Sequence, residues 1–264
     1  MNAMATSPKI SIVTPAYNAE QCVKRVTQAV LSQRNVDFEW IIVDDCSTDS
    51  TYAAFCAEVG EDPRIRLIRS SSNNGVAEAR NLGLAHATGE FICFLDADDS
   101  WAPDKLAAQY QFMQTSNAEV TAMDYLRVDE LHRPLGLVRP PAVITWRMML
   151  KSNRMGNLTA MARRSILTDI KFRRIGHEDY VFWLDVARKA KLILRVPTER
   201  PLCFYSVRNS SISADKRAAA KWQWAIYRAV LKMNFAASCW CFLNYALIAM
   251  TKRVSGRWSL GRRR

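Results

Sequence analysis

Residues 91–99, FICFLDADD, decide the fold of this chain. The first five are apolar, with aromatic and β-branched members, and a run of this length is typical of a buried strand. The run ends in three carboxylates within four positions, Asp96, Asp98 and Asp99. In an open α/β sheet, ligands bind beyond the carboxyl ends of the strands, where these carboxylates are expected to lie.

Three carboxylates at this spacing repel one another, so they stay ionised together only beside a cation or strong hydrogen-bond donors. Hard oxygen ligands suit Mg²⁺ or Mn²⁺, and these ions in turn suit a diphosphate. The simpler interpretation is a solvated acidic turn that caps a helix beginning near Pro103. The rest of the chain decides between the two.

Strand-like and helix-like segments alternate along the first hundred residues. Because strands as uniformly apolar as these must be covered on both faces, the pattern predicts an α/β fold with a mostly parallel central sheet flanked by helices. The expected strands are residues 10–14, 40–43, 65–68 and 91–95, and the expected helices are residues 21–33, a segment ending at 58, and 76–87.

The second half of the chain predicts further elements of both kinds. Residues 131–141 are rich in proline and basic side chains and are expected to form a loop across the site. The pattern indicates one body to about residue 210 and an appended helical segment at 211–264. The other expected strands are residues 120–128, 158–162, 192–196 and 202–207, the last two completing the sheet, and the other expected helices are 103–115, 146–150 and 180–189.

The formal net charge of +12 is concentrated at one end of the chain. Residues 208–264 hold twelve Lys and Arg against one acid, Asp215, which leaves a near-neutral body. The same segment is rich in aromatic residues. A basic, aromatic segment on a neutral body points to an anionic membrane surface, and we expect no nucleic-acid partner.

Seven cysteines, none in a Cys-x-x-Cys pair, argue against a disulfide framework or a zinc site. Several lie within apolar runs, where a free cysteine behaves as a small hydrophobic residue. The N-terminal residues lack the apolar core of a signal peptide. Together these features predict a cytoplasmic protein.

Polar residues follow the first two strands, Tyr17 and Asn18 after one and Asp44 and Asp45 after the other. With the carboxylates after residue 95 they would line a crevice at one sheet edge, which we interpret as a ligand site. Tyr17 can stack on a nucleobase and Asp45 can accept from its N–H, although a plain turn is the alternative for Tyr17 and Asn18. The sequence has no Gly-x-Gly-x-x-Gly after the first strand and no Gly-Lys-Ser/Thr, which excludes those nucleotide-binding modes.

Five motifs, in this order and spacing, resemble those of the family-2 glycosyltransferases of bacterial surface-polysaccharide synthesis. They are PAYN (15–18), IIVDDCSTDST (41–51), NNGVAEARNLGLAHATGEFICFLDADD (73–99), GHEDYVFWL (176–184) and YSVRNSSIS (205–213). The resemblance is continuous over residues 10–101. It implies a GT-A fold and an inverting, metal-dependent transfer of a hexose. The implied donor is a nucleotide-sugar, with UDP expected, and the acceptor is lipid-linked or an oligosaccharide.

The resemblance also implies roles for single residues. Asp96 and Asp98 match the family's Asp-x-Asp pair, in which the first faces the ribose and the last coordinates Mn²⁺ or Mg²⁺; the share of Asp99 is open. The donor half would span about residues 10–128 and the acceptor half about 129–210. Contacts with the nucleotide or its phosphates are implied for Pro15, Tyr17, Asn18, Asp44, Asp45, Arg80 and Asn81.

Asp179, with Glu178 beside it, matches the family's catalytic base. An acceptor hydroxyl is a poor nucleophile and needs a base as its bond to the anomeric carbon forms. One carboxylate opposite the leaving group, without a second nucleophile, gives a single displacement and inversion. Acids near a helix N-terminus also favour the helix dipole, which is the structural alternative for Asp179.

Residues 233–251 carry no charge and are flanked by Lys232 and Lys252. Their length is at the edge of what spans a bilayer, but Asn234 and Asn244 interrupt the run and both flanks are positive. We therefore expect helices that lie in the interface on the inner face of the cytoplasmic membrane, where a lipid-linked acceptor would be found. A helix docked on the core, an oligomer face and a membrane span are the alternatives.

Two other functions are compatible with a carboxylate site for a nucleotide. A nucleotidyl- or phosphotransferase would use the same metal but place phosphate or nucleotide, rather than sugar, in its product. A non-catalytic nucleotide-binding subunit of a membrane glycan-assembly complex would bind without turnover, and the retained carboxylates speak against it. The sequence leaves the oligomeric state open, a homo-oligomer included.

Overall fold

The structure is a computed structural model that describes residues 8–207 and 216–259, with side chains for 8–207 and 218–250. The last motif, 205–213, is therefore described only to residue 207, and the basic end beyond residue 259 lies outside the described residues. The strands are β1 Ile10–Ala16, β2 Phe38–Asp44, β3 Ile65–Arg69, β4 Phe91–Phe94, β5 Ser100–Trp101, β6 Val120–Ala122, β7 Tyr125–Val128, β8 Pro134–Val138, β9 Val143–Thr145, β10 Met161–Arg163, β11 Leu192–Arg195 and β12 Cys203–Ser206. The helices are α1 Glu20–Leu31, α2 Thr51–Val59, α3 Val76–His86, α4 Lys105–Ser116, α5 Trp146–Lys151, α6 Glu178–Ala190, α7 Lys216–Ala225 and α8 Phe235–Ser259.

Within the described part of the chain, an eight-stranded sheet has the order β3-β2-β1-β4-β10-β6-β11-β9. Neighbouring strands from β3 to β4 are parallel, as are β6 and β11, whereas β10 and β9 run antiparallel to their neighbours. Successive residues of β1 point to opposite faces, so Ile12 and Val13 enter two separate apolar cores. The predicted mostly parallel sheet, covered on both faces, is confirmed.

Helix α3 lies unusually close to the centre of this sheet. A Cβ atom placed on Gly83 would lie 2.4 Å from Cγ1 of Val13 on β1, so only glycine permits this approach. The helix carries Arg80 one turn before that contact, and Arg80 is 4% exposed. The close packing therefore brings a buried cation to the sheet edge at which β1, β2 and β4 end.

The strand expected at residues 120–128 is two strands in two different sheets. Strand β6 lies in the central sheet, and β7 lies in a second sheet with the order β5-β12-β7-β8. The break falls at Asp124, which is buried and pairs with Arg139 at 2.6 Å and Arg195 at 3.1 Å. A buried carboxylate with two cations has a fixed position, and the chain turns from one sheet to the other around it.

Two other local expectations were wrong. Residues 202–207 do not complete the central sheet; they form β12, which lies between β5 and β7 in the second sheet. Residues 131–141, expected as a loop, contain β8, which is antiparallel to β7. Strand β8 is at the edge of its sheet, and an edge strand tolerates a residue such as Pro134 that lacks an N–H.

The segment expected as an appendage packs against the body. After α7 a π-helical turn, Ile226–Val230, places Ile226 and Tyr227 in the same apolar core as the residues of α6. On α8, Ser238 and Cys241 are buried, and the helix contacts α5 and α7. In the described residues no helix combines the length and the apolar character that crossing a membrane requires.

Candidate active site

The carboxyl ends of β1, β2 and β4 meet at a cavity of about 430 Å³. Its lining includes Pro15 and Tyr17 after or at the end of β1, Asp45 after β2, and Asp96 and Asp98 after β4. Strand ends from one edge of a twisted parallel sheet form such a crevice because their loops all leave on the same side. The structure thus brings together residues that are up to 83 positions apart, Pro15 and Asp98.

Asp45 holds the loop before α3 at the edge of this cavity. Its two carboxylate oxygens accept the backbone N–H groups of Asn74, at 3.1 Å, and Gly75, at 2.7 Å. Gly75 has φ +86°, a left-handed conformation that glycine adopts without strain. Tyr17 is 48% exposed, so its ring is available at the mouth of the cavity.

Arg80 connects the carboxylates of the cleft. Its Nη2 donates to both oxygens of Asp96, at 2.7 and 2.9 Å, and its Nη1 lies 3.5 Å from an oxygen of Glu178. Burial alone would lower the pKa of Arg80, but Asp96, Asp179 and Glu178 outweigh it and raise the pKa above its usual value. The Nε and Nη1 groups are buried and have no hydrogen-bond partner among the described residues. Arg80 also lines the cavity, so its positive charge acts on an anionic ligand placed there.

Glu178 and Asp179 lie in the first turn of α6, on the side of the molecule where Arg80 faces the cavity. Burial raises the pKa of Glu178, an effect that Arg80 opposes and that Asp179 and Asp96 reinforce. Glu178 lines a smaller cavity of about 270 Å³, and Gly75 and Val76 line both this cavity and the larger one. The two cavities therefore adjoin at Gly75 and Val76, the larger with Asp45 and the smaller with Glu178 in its lining.

The Asp96–Asp99 loop is held from two further sides. The backbone carbonyl of Asp98 accepts from Nη2 of Arg25 at 2.6 Å. Asp99 is turned away from the cavity: it is 2% exposed and accepts the backbone N–H of Ser206, on β12, at 2.9 Å. Burial, and then Asp98 and Asp96, raise the pKa of Asp99 well above its usual value. Its role, which the sequence left open, is to anchor the loop.

The carboxylates that line the cavity fit a divalent ion bound together with a ligand. The described residues contain no group of three or more His, Cys, Asp or Glu side chains arranged for a metal. Mg²⁺ is usually held by one or two carboxylates, with substrate phosphates and water as the remaining ligands. Asp98 and Asp96, the two acids after β4 that line the cavity, would be the carboxylates that hold such an ion, and both oxygens of Asp96 also accept from Arg80.

Three of the residues predicted to contact the donor lie beside the larger cavity rather than in its lining, and the predicted catalytic pair Glu178 and Asp179 does not line it either. Asn18 accepts from the backbone of Thr48 at 2.9 Å. Asp44 is fully buried and pairs with Arg69 at 3.2 Å. Asn81 exchanges two hydrogen bonds with the backbone of Phe172, at 2.8 and 2.9 Å. In the structure these side chains support the loops around the cleft, and their contact with a donor stays a prediction.

Sequence comparison identifies the family. The sequence model described as "Glycosyl transferase family 2" matches residues 11–168. The chain belongs to glycosyltransferase family 2. The putative teichuronic acid biosynthesis glycosyltransferase TuaG of Bacillus subtilis (strain 168) is 34% identical over 94% of this chain and 98% of its own length. WfgD of Escherichia coli, a "UDP-Glc:alpha-D-GlcNAc-diphosphoundecaprenol beta-1,3-glucosyltransferase", is 32% identical over 93% of this chain and 95% of its own.

Solved structures show that the glycosyltransferase has the GT-A fold. TarS 1-349 of S. aureus, in complex with UDP-GlcNAc, superposes with a TM-score of 0.70 at 20% identity, over 90% of this chain and 71% of that one. The mannosyltransferase PcManGT of Pyrobaculum calidifontis, in complex with GDP-Man and Mn²⁺, gives a TM-score of 0.65 at 17% identity, over 95% of this chain and 76% of that one. At these identities the likeness is one of fold.

Replacing Arg80 by methionine should destabilise the fold. The change leaves Asp96 and Glu178 next to each other without their shared cation. We expect the free energy of unfolding to fall by about 2–3 kcal/mol, less than for a fully buried pair because both carboxylates are partly exposed. Urea denaturation measures the change. The control is Arg64→Met, whose exposed pair with Asp62 should contribute about 0–1 kcal/mol; equal losses in the two variants would contradict the linking role of Arg80.

Proposed function

We propose that this glycosyltransferase moves a hexose, with inversion, from a UDP-sugar to a lipid-linked glycan in the synthesis of a bacterial surface polysaccharide. The observation that carries the proposal is the cleft in which Arg80 connects Asp96, at the end of β4, with the first turn of α6. The names of WfgD and WfaP, both of Escherichia coli, specify UDP-Glc and a diphosphoundecaprenol acceptor, which supports this choice of donor and acceptor.

The cavity offers suitable chemistry for each part of the donor. The exposed ring of Tyr17 can stack on uracil, and Asp45, which lines the same cavity, can accept from the N–H of the base. Arg80, which lines the cavity, brings a buried positive charge close to the diphosphate. The donor half then comprises about residues 10–128, because every residue that lines the larger cavity comes from it.

The metal in this proposal is Mn²⁺ or Mg²⁺, held by Asp98 and Asp96. Such an ion offsets the negative charge that develops on a departing nucleoside diphosphate. Arg80, which bonds Asp96 and is always protonated, would contribute to the same charge balance. The two acids alone would repel the diphosphate, so a bound cation accounts for their presence in a donor cavity.

Asp179 is the proposed base for the acceptor. Its carboxylate takes the proton of the acceptor hydroxyl while that oxygen bonds to the anomeric carbon and the nucleoside diphosphate leaves from the other face. The bond made and the bond broken lie on opposite faces of the sugar carbon, so the configuration inverts. Glu178, whose pKa burial raises, lies beside Arg80 and helps to hold the turn. The acceptor half would comprise about residues 129–210.

The membrane association that we propose rests on one face of α8. Trp240, Leu243, Leu247 and Met250 are spaced by three and four residues, and each is about half exposed or more. The opposite face, with Ser238 and Cys241, is buried. The net charge of +11 over residues 208–264 would oppose pairing of two such helices, whereas an anionic bilayer complements it. We therefore place the protein at the cytoplasmic face of the membrane, as a peripheral protein.

A panel of nucleotide-sugars should identify the donor. We expect UDP-hexoses to raise the Tm in the presence of Mn²⁺, and one of them to release UDP, because the cavity combines a stacking ring with a diphosphate site. EDTA should remove the turnover, and added Mn²⁺ or Mg²⁺ should restore it. Turnover that persists in EDTA would contradict the metal, and nucleotide or phosphate in the product would contradict sugar transfer.

The variant Asp179→Asn should separate binding from catalysis. Loss of the base is expected to lower kcat by about 10²- to 10⁴-fold while the Kd for UDP, measured by calorimetry, changes little. Asp185→Asn is the matched control on the same helix, where the carboxylate pairs with Arg173 instead. Equal losses of turnover and UDP affinity at Asp179 would contradict its role as the base.

Vesicle sedimentation tests the proposed membrane face. The full chain should sediment with vesicles that contain phosphatidylglycerol and remain in solution with pure phosphatidylcholine. Leu247→Glu should weaken this binding, whereas Leu192→Glu, at a site with the same 49% exposure on β11, should not. A dimer that is present in wild type and lost in Leu247→Glu, without lipid binding, would assign the face to self-association instead.

A further inference from the structure

A side chain of α7 lies directly against the loop that leads to the proposed base. The indole ring of Trp222 covers Gly176: a Cβ placed on this glycine would lie 2.4 Å from Cδ2 and 2.5 Å from Cγ of the ring. Those distances are below any real contact, so only a glycine lets the ring lie on the backbone here. The φ of Gly176 is not in the left-handed region, and the close approach is the reason for the glycine.

The next residue of the loop is held in an uncommon conformation by the same ring. His177 has φ +62°, in the left-handed region, and its imidazole meets Trp222 edge to face with ring centroids 5.0 Å apart. This conformation is uncommon for residues other than glycine, so packing against the ring helps to keep it. His177 directly precedes Glu178 and Asp179 and caps α6 without a side-chain hydrogen bond.

Gln223, the residue after Trp222, makes a second contact, with Tyr180, which directly follows Glu178 and Asp179 in the sequence. Gln223 is 3% exposed, and its Nε2 donates to the hydroxyl oxygen of Tyr180 at 3.3 Å. The Tyr180 hydroxyl in turn donates to the backbone carbonyl of Met149, at 2.6 Å. Two consecutive residues of α7 thus hold the chain immediately before and immediately after Glu178 and Asp179.

We propose that Trp222 is a positioning residue, which sets the place of Asp179 relative to the donor cleft by packing on Gly176 and His177. This inference rests on the proposed function, because it assumes that Asp179 is the base. It makes α7, which lies outside residues 11–168 of the family match, part of what determines the geometry of the active site. Small displacements of a catalytic group cost up to about 10²-fold in rate, so the contact should be visible in kinetics.

A double-mutant cycle tests the contact. Trp222→Ala and Gly176→Ala should each lower kcat by about 10- to 100-fold with UDP-glucose and a GlcNAc-diphosphate lipid, at an unchanged Kd for UDP. Because both changes remove the same contact, the double variant should be no slower than the slower single variant. Trp222→Phe, which keeps an aromatic ring on the loop, should recover most of the turnover.

Hydrogen exchange shows whether the variants act through the loop. In folded Trp222→Ala, with its Tm measured alongside, the amides of residues 176–181 should exchange faster, and those of the central sheet should not. Losses of kcat that add in the double variant, or wild-type kcat in either single variant, would overturn the role of Trp222. With Asp179→Asn inactive, such a result removes the positioning role alone; an active Asp179→Asn removes the proposed base as well.

Discussion

A buried guanidinium must be paired, and this requirement links three parts of the chain that are far apart in sequence. Arg80 on α3 bonds both oxygens of Asp96 after β4 and lies 3.5 Å from Glu178 on α6. Moving any of the three would leave a charge without its partner in a partly buried site, which destabilises the fold. The cleft between them is therefore held in place before any ligand binds, as electrostatic catalysis requires.

The fold could be predicted where strands are short, apolar and separated by helices. Strands β1 to β4 and helices α1 to α3 lie close to their expected positions, because alternation of buried strands and helices leaves few other arrangements. The spacing of apolar residues wrongly predicted one strand at residues 120–128. The apolar run continues from β6 into β7, although the two strands belong to different sheets. The arginine partners of buried Asp124, Arg139 and Arg195, mark the change of sheet. They lie 15 and 71 residues away along the chain, and a pattern of local spacing contains no information about them.

The candidate site could be predicted in part for the same reason. Residues at strand ends, such as Tyr17, Asp45 and Asp98, share an edge by topology alone, so their order along the chain was enough to place them. The sequence did not distinguish the lining residues from their supports. Asp44 and Asp45 are adjacent and chemically identical, but one is fully buried against Arg69 and the other lines the cavity. Asp44 is the last residue of β2 and Asp45 is the first residue beyond it, so one side chain stays in the sheet and the other belongs to the loop that lines the cavity.

The domain boundary predicted at residue 210 was based on charge and composition. In the structure, residues on both sides of it pack in one core. Tyr227 lies in the core that also contains residues of α6, and α8 packs on α5 and α7. Composition separates these helices from the body because their outer face is basic and apolar; their inner face is an ordinary protein core. If the acceptor is carried by a lipid, as proposed, the helix that would meet the membrane, α8, packs on α7, the helix that contacts the loop before Asp179. The base would then lie on the side of the molecule from which the acceptor arrives, with no separate device needed to bring the two together.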